Sequence, residues 1–132
     1  PVMGHIGILP QAVHVDGYRV KGRTAEEVEK LIKDALALQE AGAFSIVLEG
    51  IQVDAAVKIT EALKIPTIGI GAGVGCSGQI QVAHDILGLF EEFTPKHARV
   101  YAQLGSEIRN IFTQFGKDVK SKDFPSQENT FQ

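Results

Sequence analysis

Residues 43–48 read AFSIVL, a short, almost entirely apolar run that is rich in residues favouring β-structure. Such a run is typical of a strand buried on both faces of a parallel sheet, because a half-exposed strand would alternate apolar with polar residues. Glu49 follows at once and ends the strand. The segment therefore predicts a parallel α/β architecture.

Helical patterns lie on both sides of this strand. Thr24 and Glu27 have the spacing of a capping box, in which the threonine hydroxyl accepts from the N–H of Glu27 and the glutamate carboxylate reaches back to the N-cap. The apolar residues that follow recur at helical spacing, and Gly42 stands where a C-terminal glycine is usual. We predict a helix over 24–41 and a second helix over 54–64.

Two further strands extend the pattern. Residues 1–7, PVMGHIG, form an apolar strand that begins at the first residue, and this suggests a chain cut from a longer one. Residues 67–70, TIGI, follow Pro66 and form the third strand. The order strand, helix, strand, helix, strand indicates βαβ units in a parallel sheet.

The remaining chain contains a loop, an ambiguous segment and a long helix. Residues 71–78 are dense in glycine, and residues 79–85, QIQVAHD, fit either a fourth strand or a short helix. One apolar stripe predicts a helix over 95–115. We expect one folded domain over residues 1–116 and a polar tail over 117–132, wrapped on the surface or partly disordered.

The composition is that of one soluble globular domain. The chain has 132 residues, a net charge of −3 and 44% hydrophobic residues, whereas a disordered chain would have fewer aliphatic residues and a larger net charge. The single cysteine, Cys76, excludes a disulfide scaffold and fits a reducing compartment, the cytoplasm or the mitochondrion of a eukaryote. We expect no membrane span and no nucleic-acid partner, because the sequence lacks both a long apolar run and a basic block.

Glu49 and His5 are the strongest candidate site residues. Ligands bind at the carboxyl ends of strands in parallel α/β folds, and Glu49 stands at such an end, where partial desolvation suits a general acid or base. A glutamate that caps the next helix or pairs with a lysine is the structural alternative. Glycines on both sides of His5 keep the backbone open to a ligand. The alternative for His5 is a buried histidine bonded to a backbone carbonyl.

The other candidate motifs are less specific. His14, His84 and His97 lack the spacing of metal ligands, so a zinc site is not expected. The segment 73–78 matches the G-x-G-x-x-G dinucleotide fingerprint, which should open a helix after the first strand of a unit. Here it follows the third strand and precedes a strand-like segment. We prefer a flexible turn and keep a nucleotide-binding module as an alternative function.

Motifs along the whole chain resemble those of one enzyme family, the ketopantoate (3-methyl-2-oxobutanoate) hydroxymethyltransferases. They are VMGHIG at 2–7 with LPQ at 9–11, GYRVKGR at 17–23, DALALQEAGAF at 34–44, IVLE at 46–49, ITEAL at 59–63, IPTIGIGAG at 65–73, GQ at 78–79 with HD at 84–85, and FPSQENTF at 124–131. Several independent motifs in one order are more specific than any single pattern.

The resemblance implies a (β/α)₈ TIM barrel that makes ketopantoate for pantothenate and coenzyme A biosynthesis. In this family Mg²⁺ chelates the 2-oxo acid, 3-methyl-2-oxobutanoate, and acidifies its C3 proton, and the enolate attacks the one-carbon unit of methylenetetrahydrofolate. Mg²⁺ and methylenetetrahydrofolate are therefore expected. Glu49 matches the family's catalytic proton acceptor, and His5 matches a histidine near the bound oxo acid, to which it would donate.

The length of the chain departs from the family. A (β/α)₈ barrel takes about 250 residues, so this chain resembles the C-terminal half-barrel, strands five to eight, with a long C-terminal helix. The family's metal ligands and substrate lysine belong to the N-terminal half, so no metal or folate residue is assigned here. Gly50 and Ala12 stand where many members carry Cys and Ser. We expect pairing with the missing half or a homo-oligomer, and an inactive oligomerising half-barrel is the remaining alternative.

Overall fold

A parallel sheet organises the first of two compact units. The computed structural model describes residues 1–12, 14 and 17–131, and it divides the chain into Pro1–Gln81 and Val82–Gln132. Within the described residues the strands of the first unit form one four-stranded parallel sheet, paired in chain order. They are β1 (Met3–Gly7), β2 (Ser45–Glu49), β3 (Thr67–Ile70) and β4 (Gly78–Gln79), with helices α1 (Ala25–Glu40) and α2 (Val53–Ala62) between them. The predicted βαβ order is confirmed.

The capping at the start of α1 differs from the predicted box in one bond. Thr24 Oγ1 accepts from the N–H of Glu27 at 3.2 Å, as predicted. The Glu27 carboxylate accepts instead from the N–H of Arg23 at 2.7 Å, one residue before the N-cap. This bond is the largest of the causes that hold the pKa of Glu27 below its usual value. Desolvation is the next largest and opposes the lowering, while the charge of Arg19, the N–H of Gly22 and the charge of Lys21 add to it.

The two faces of the sheet are buried to different degrees. Ile6, Ile46 and Leu48 pack against apolar residues of α1 and α2 and form the core. Apart from Ser45, which is buried, the residues of the opposite face are partly buried or exposed, and Met3 is 47% exposed. We call this second surface the open face, and define it by Met3, His5, Val47, Glu49, Ile68 and Ile70. On this face β2 is buried at Ser45 and partly buried at Val47 and Glu49, so the prediction that β2 is buried on both faces is met only in part.

The glycine-dense loop leads into a strand and not into a helix. Residues 71–77 end at β4, and the glycines allow the loop to pack closely on α2. A Cβ on Gly73, whose φ is +79°, would meet the side chain of Val53 at 2.9 Å. The nucleotide-binding alternative therefore lacks the helix N-terminus that its fingerprint requires.

The segment predicted as strand or helix is divided between both. Residues 78–79 form β4, and α3 (Ala83–Leu87) begins four residues later, in the second unit. The short β4 leaves Ile80 and Val82 about half exposed.

The long helix of the second unit is displaced from its predicted position. We predicted 95–115, whereas α4 spans Leu104–Ser121. The backbone N–H of Tyr101 donates to the carbonyl of Ile86 at 2.8 Å, so residues before Leu104 bond to α3 instead of continuing the helix. At the other end, residues 117–121, which we assigned to the tail, are helical, and the helix ends at Lys122 with φ 64°. Gln132, the last residue of the predicted tail, lies outside the described residues.

The surface of α4 carries the apolar stripe found in the sequence. Ile108, Ile111, Phe112 and Phe115 are each more than 40% exposed in the structure. Arg109 pairs with Glu91 on another side of the helix. Among the described helices, none combines the length and apolar character needed to cross a bilayer.

Candidate active site

Glu49 is held by strands on both sides. It is the last residue of β2, and its register partners are Gly7 in β1 and Ile70 in β3. Its carbonyl accepts from the N–H of Ile8 at 2.8 Å, and the N–H of Gly50 donates to Ile70 at 2.9 Å. The backbone that carries the carboxylate is therefore fixed at the carboxyl edge of the sheet, as the sequence predicted.

Position 7, where β1 passes the backbone of Glu49, requires a glycine. Its φ is +101°, a conformation that residues with a side chain rarely adopt. A Cβ at this position would overlap the carbonyl oxygen of Glu49. The second glycine of the GHIG motif thus permits the close approach of two strands. The approach of a ligand beside His5 stays a prediction.

His5 and Glu49 meet on the open face. Nε2 of His5 lies 3.1 Å from Oε2 of Glu49, and the two side chains are 33% and 22% exposed. The distance is that of an ion pair, but Nε2 makes no hydrogen bond with any residue that the structure describes, and it is shielded from solvent. The two side chains are therefore in close contact without a hydrogen bond between them. Leaving a shielded polar atom unpaired costs about 1–3 kcal/mol.

The arrangement suits proton transfer from carbon. An ionised carboxylate is a pure acceptor, and Glu49 is partly shielded from water at the edge where parallel sheets bind ligands. The imidazole beside it supplies a donor or an acceptor. The sequence predicted both residues but not their contact. The sequence did contain one indication of this contact, because both residues lie near the ends of successive strands of a predicted parallel sheet.

The other candidate residues do not join this pair. His14 is exposed in the first unit, and His84 and His97 are exposed in the second. Across residues 1–12, 14 and 17–131, no three His, Cys, Asp or Glu side chains lie close enough together to hold a metal ion. The described residues thus do not fit a Mg²⁺ ion by themselves. Cys76 is a free, partly buried thiol.

An open cavity of about 400 Å³ lies beside β1 and α1. His5 and Lys21 line it, together with the ion pair of Lys30 and Asp34 at 2.6 Å. Glu49 is not among its lining residues. Lys21, which the sequence analysis did not single out, also contacts the end of β2, because its N–H donates to Gly50 at 2.9 Å.

Comparison with known proteins gives one consistent result. The sequence model of the family described as ketopantoate hydroxymethyltransferase matches residues 1–127. The chain is 57% identical over 130 residues to the 3-methyl-2-oxobutanoate hydroxymethyltransferase of Chloroflexus aggregans, covering 98% of this chain and 47% of that protein. It is 53% and 52% identical over 132 residues to the enzymes of the same name from Pelobacter propionicus and Cenarchaeum symbiosum, covering 99% of this chain and 49% and 50% of those proteins. The chain therefore spans about half the length of the curated relatives it matches.

Proposed function

Because the chain belongs to the ketopantoate hydroxymethyltransferase family, we propose that it is the part of such an enzyme that carries the catalytic base. The reaction transfers a hydroxymethyl group from methylenetetrahydrofolate to 3-methyl-2-oxobutanoate and gives 2-dehydropantoate (ketopantoate). The observation that carries the proposal is Glu49, fixed between β1 and β3 at the carboxyl edge of the sheet with His5 at 3.1 Å.

Glu49 acts as the general base in this proposal. Its carboxylate takes the proton from C3 of the oxo acid, and the electron pair of the broken C–H bond passes into the enolate. The enolate then forms a carbon–carbon bond to the methylene carbon as one of that carbon's two bonds to folate nitrogen breaks. Water replaces the second nitrogen, supplies the oxygen of the new hydroxyl group and releases tetrahydrofolate. A carboxylate held by a sheet is well placed for this task, because general-base catalysis depends on the base lying within hydrogen-bond reach of the proton.

The proposal places the remaining parts of the site outside this chain. We assign the four strands to strands five to eight of a (β/α)₈ barrel, that is, to its C-terminal half. Ligands for Mg²⁺ would belong in this proposal to the other half of the barrel, and a bound ion would polarise the oxo acid. The assembly would be this chain with that half, or a homo-oligomer, in a reducing compartment such as the cytoplasm, which suits the free thiol of Cys76.

The substitution Glu49→Gln in the complete enzyme tests the proposal. Glutamine keeps the size of the side chain and removes the base, so exchange of the C3 proton with solvent, followed by NMR, should fall about 10²–10⁴-fold. Binding of the oxo acid should persist. Glu61→Gln, at an exposed position of α2, is the matched control and should leave the exchange rate unchanged. Unchanged exchange in Glu49→Gln would refute the assignment.

A further inference from the structure

The contact between His5 and Glu49 leaves one polar atom without a bond. Nε2 of His5 lies 3.1 Å from Oε2 of Glu49, and the same nitrogen is shielded from solvent and makes no hydrogen bond within residues 1–12, 14 and 17–131. A ring nitrogen in this environment needs only a change of angle to bond the carboxylate, because the distance already suits an N–H···O bond.

The sheet fixes both side chains on the same face. Gly7 is the register partner of Glu49, and His5 precedes Gly7 by two residues, so His5 and Glu49 point to the open face. Gly7 contributes no side chain there, and the space beside the carboxylate is left to the imidazole. Both residues lie in hydrogen-bonded strands, which hold a pair of groups more accurately than loops do.

We propose that His5 is a positioning residue for Glu49, an inference that rests on the proposed function. The Nε2–H of His5 donates to Oε2 of Glu49 and leaves Oε1 to receive the C3 proton. A carboxylate has two accepting oxygens. Fixing one of them sets the direction of the other, and a base that is out of place by about 1 Å loses about 10²-fold in rate. This role differs from the one we predicted for His5, which was donation to the oxo acid itself.

Two substitutions at His5 in the complete enzyme separate positioning from substrate binding. His5→Leu removes the donor at a similar size, and we expect it to lower kcat for C3 proton exchange by about 10²-fold with little change in KM for the oxo acid. His5→Gln restores an N–H donor and should recover most of the lost kcat. His97→Gln, at an exposed histidine of the second unit, is the control and should leave both constants unchanged.

Each contrary outcome has a defined meaning. A raised KM at unchanged kcat in His5→Leu would assign His5 to the oxo acid and overturn the positioning role. Equal kcat values in His5→Leu and His5→Gln would overturn it as well. If Glu49→Gln leaves exchange unchanged, the proposed function fails; if Glu49→Gln loses exchange while His5→Leu does not, only this inference fails.

A measurement on the unmutated chain keeps the inference testable even if His5→Leu does not fold. Nitrogen NMR of the neutral imidazole of His5 reports which ring nitrogen carries the proton. We expect protonated Nε2, with a proton that exchanges slowly with water because it is bonded and shielded. A neutral ring protonated at Nδ1 would leave Nε2 without a proton to donate and would overturn the inference.

Discussion

Thr67 joins the glycine-dense loop to the sheet through one hydroxyl group. Its side chain is fully buried, and Oγ1 lies 2.9 Å from Oγ1 of Thr60. Because the Thr60 hydroxyl donates to the carbonyl of Ala56, the proton between the two hydroxyls comes from Thr67. Oγ1 of Thr67 also accepts from the N–H of Ser77 at 3.3 Å. One side chain thus satisfies groups from α2 and from the loop.

We expect Thr67→Val to lower the free energy of unfolding by about 1–3 kcal/mol, because valine keeps the shape and leaves the N–H of Ser77 without a partner. Urea unfolding followed by circular dichroism measures the change. Thr94→Val, at an exposed position, is the control and should stay within about 0.5 kcal/mol of the wild type. Equal effects of the two substitutions would show that the buried hydroxyl contributes nothing specific.

At the scale of the element, the start of α1 depends on the ionised form of Glu27. The N–H of Arg23 donates to its carboxylate, and this bond is the main reason why the pKa of Glu27 lies below the usual 4.5. A carboxylate whose pKa is lower in the folded than in the unfolded chain stabilises the fold above the unfolded value. That stabilisation is lost as the pH falls through the folded value.

The melting temperature of Glu27→Gln should therefore differ from that of the wild type most at neutral pH. The difference should begin to shrink as the pH falls below 4.5, where the carboxylate of the unfolded chain takes up a proton, and should vanish once the pH has fallen through the lower folded pKa. Calorimetry from pH 7 down to the acid range measures this trend. Glu26→Gln, in the same turn of α1, is the matched control and should follow the wild-type pH dependence. A difference for Glu27→Gln that stays constant over the whole range would contradict the assigned role of the carboxylate.

At the scale of the whole molecule, the partly buried open face and the greater length of the relatives are both consistent with a sheet that forms part of the family's barrel. The chain matches about half of each curated relative named above. Val47, Ile68 and Ile70 on the open face are only partly buried. These side chains would line the interior if the sheet were closed into a barrel, because inward-facing and outward-facing residues alternate along every barrel strand.

We expect the purified 132-residue chain to form no ketopantoate from Mg²⁺, the oxo acid and methylenetetrahydrofolate. The proposed base is present, but the described residues bring together no three potential metal ligands. Addition of the other half of the barrel in trans should restore turnover if the two halves close one barrel. Native mass spectrometry distinguishes that complex from an inactive homo-oligomer. Robust turnover by the chain alone would show that the metal site is misplaced.

The sequence by itself determined the order of elements and the identity of the proposed base. Apolar runs, helical spacing and Thr24 are local signals, and each depends on residues a few positions apart, so the strands, α1 and the position of Glu49 at a strand end were predicted from them. The family followed from motifs in one order, which also needs no coordinates.

Tertiary structure alone decided the features that depend on residues distant in the chain. The long helix begins at Leu104 and not at residue 95, because the N–H of Tyr101 donates to the carbonyl of Ile86. Strand register brought His5 to Glu49, 44 positions further along the chain and 3.1 Å away in space. Because side chains alternate along a strand, the sequence predicts which face of the sheet a side chain lies on. Only the pairing of two strands determines which side chains meet on that face.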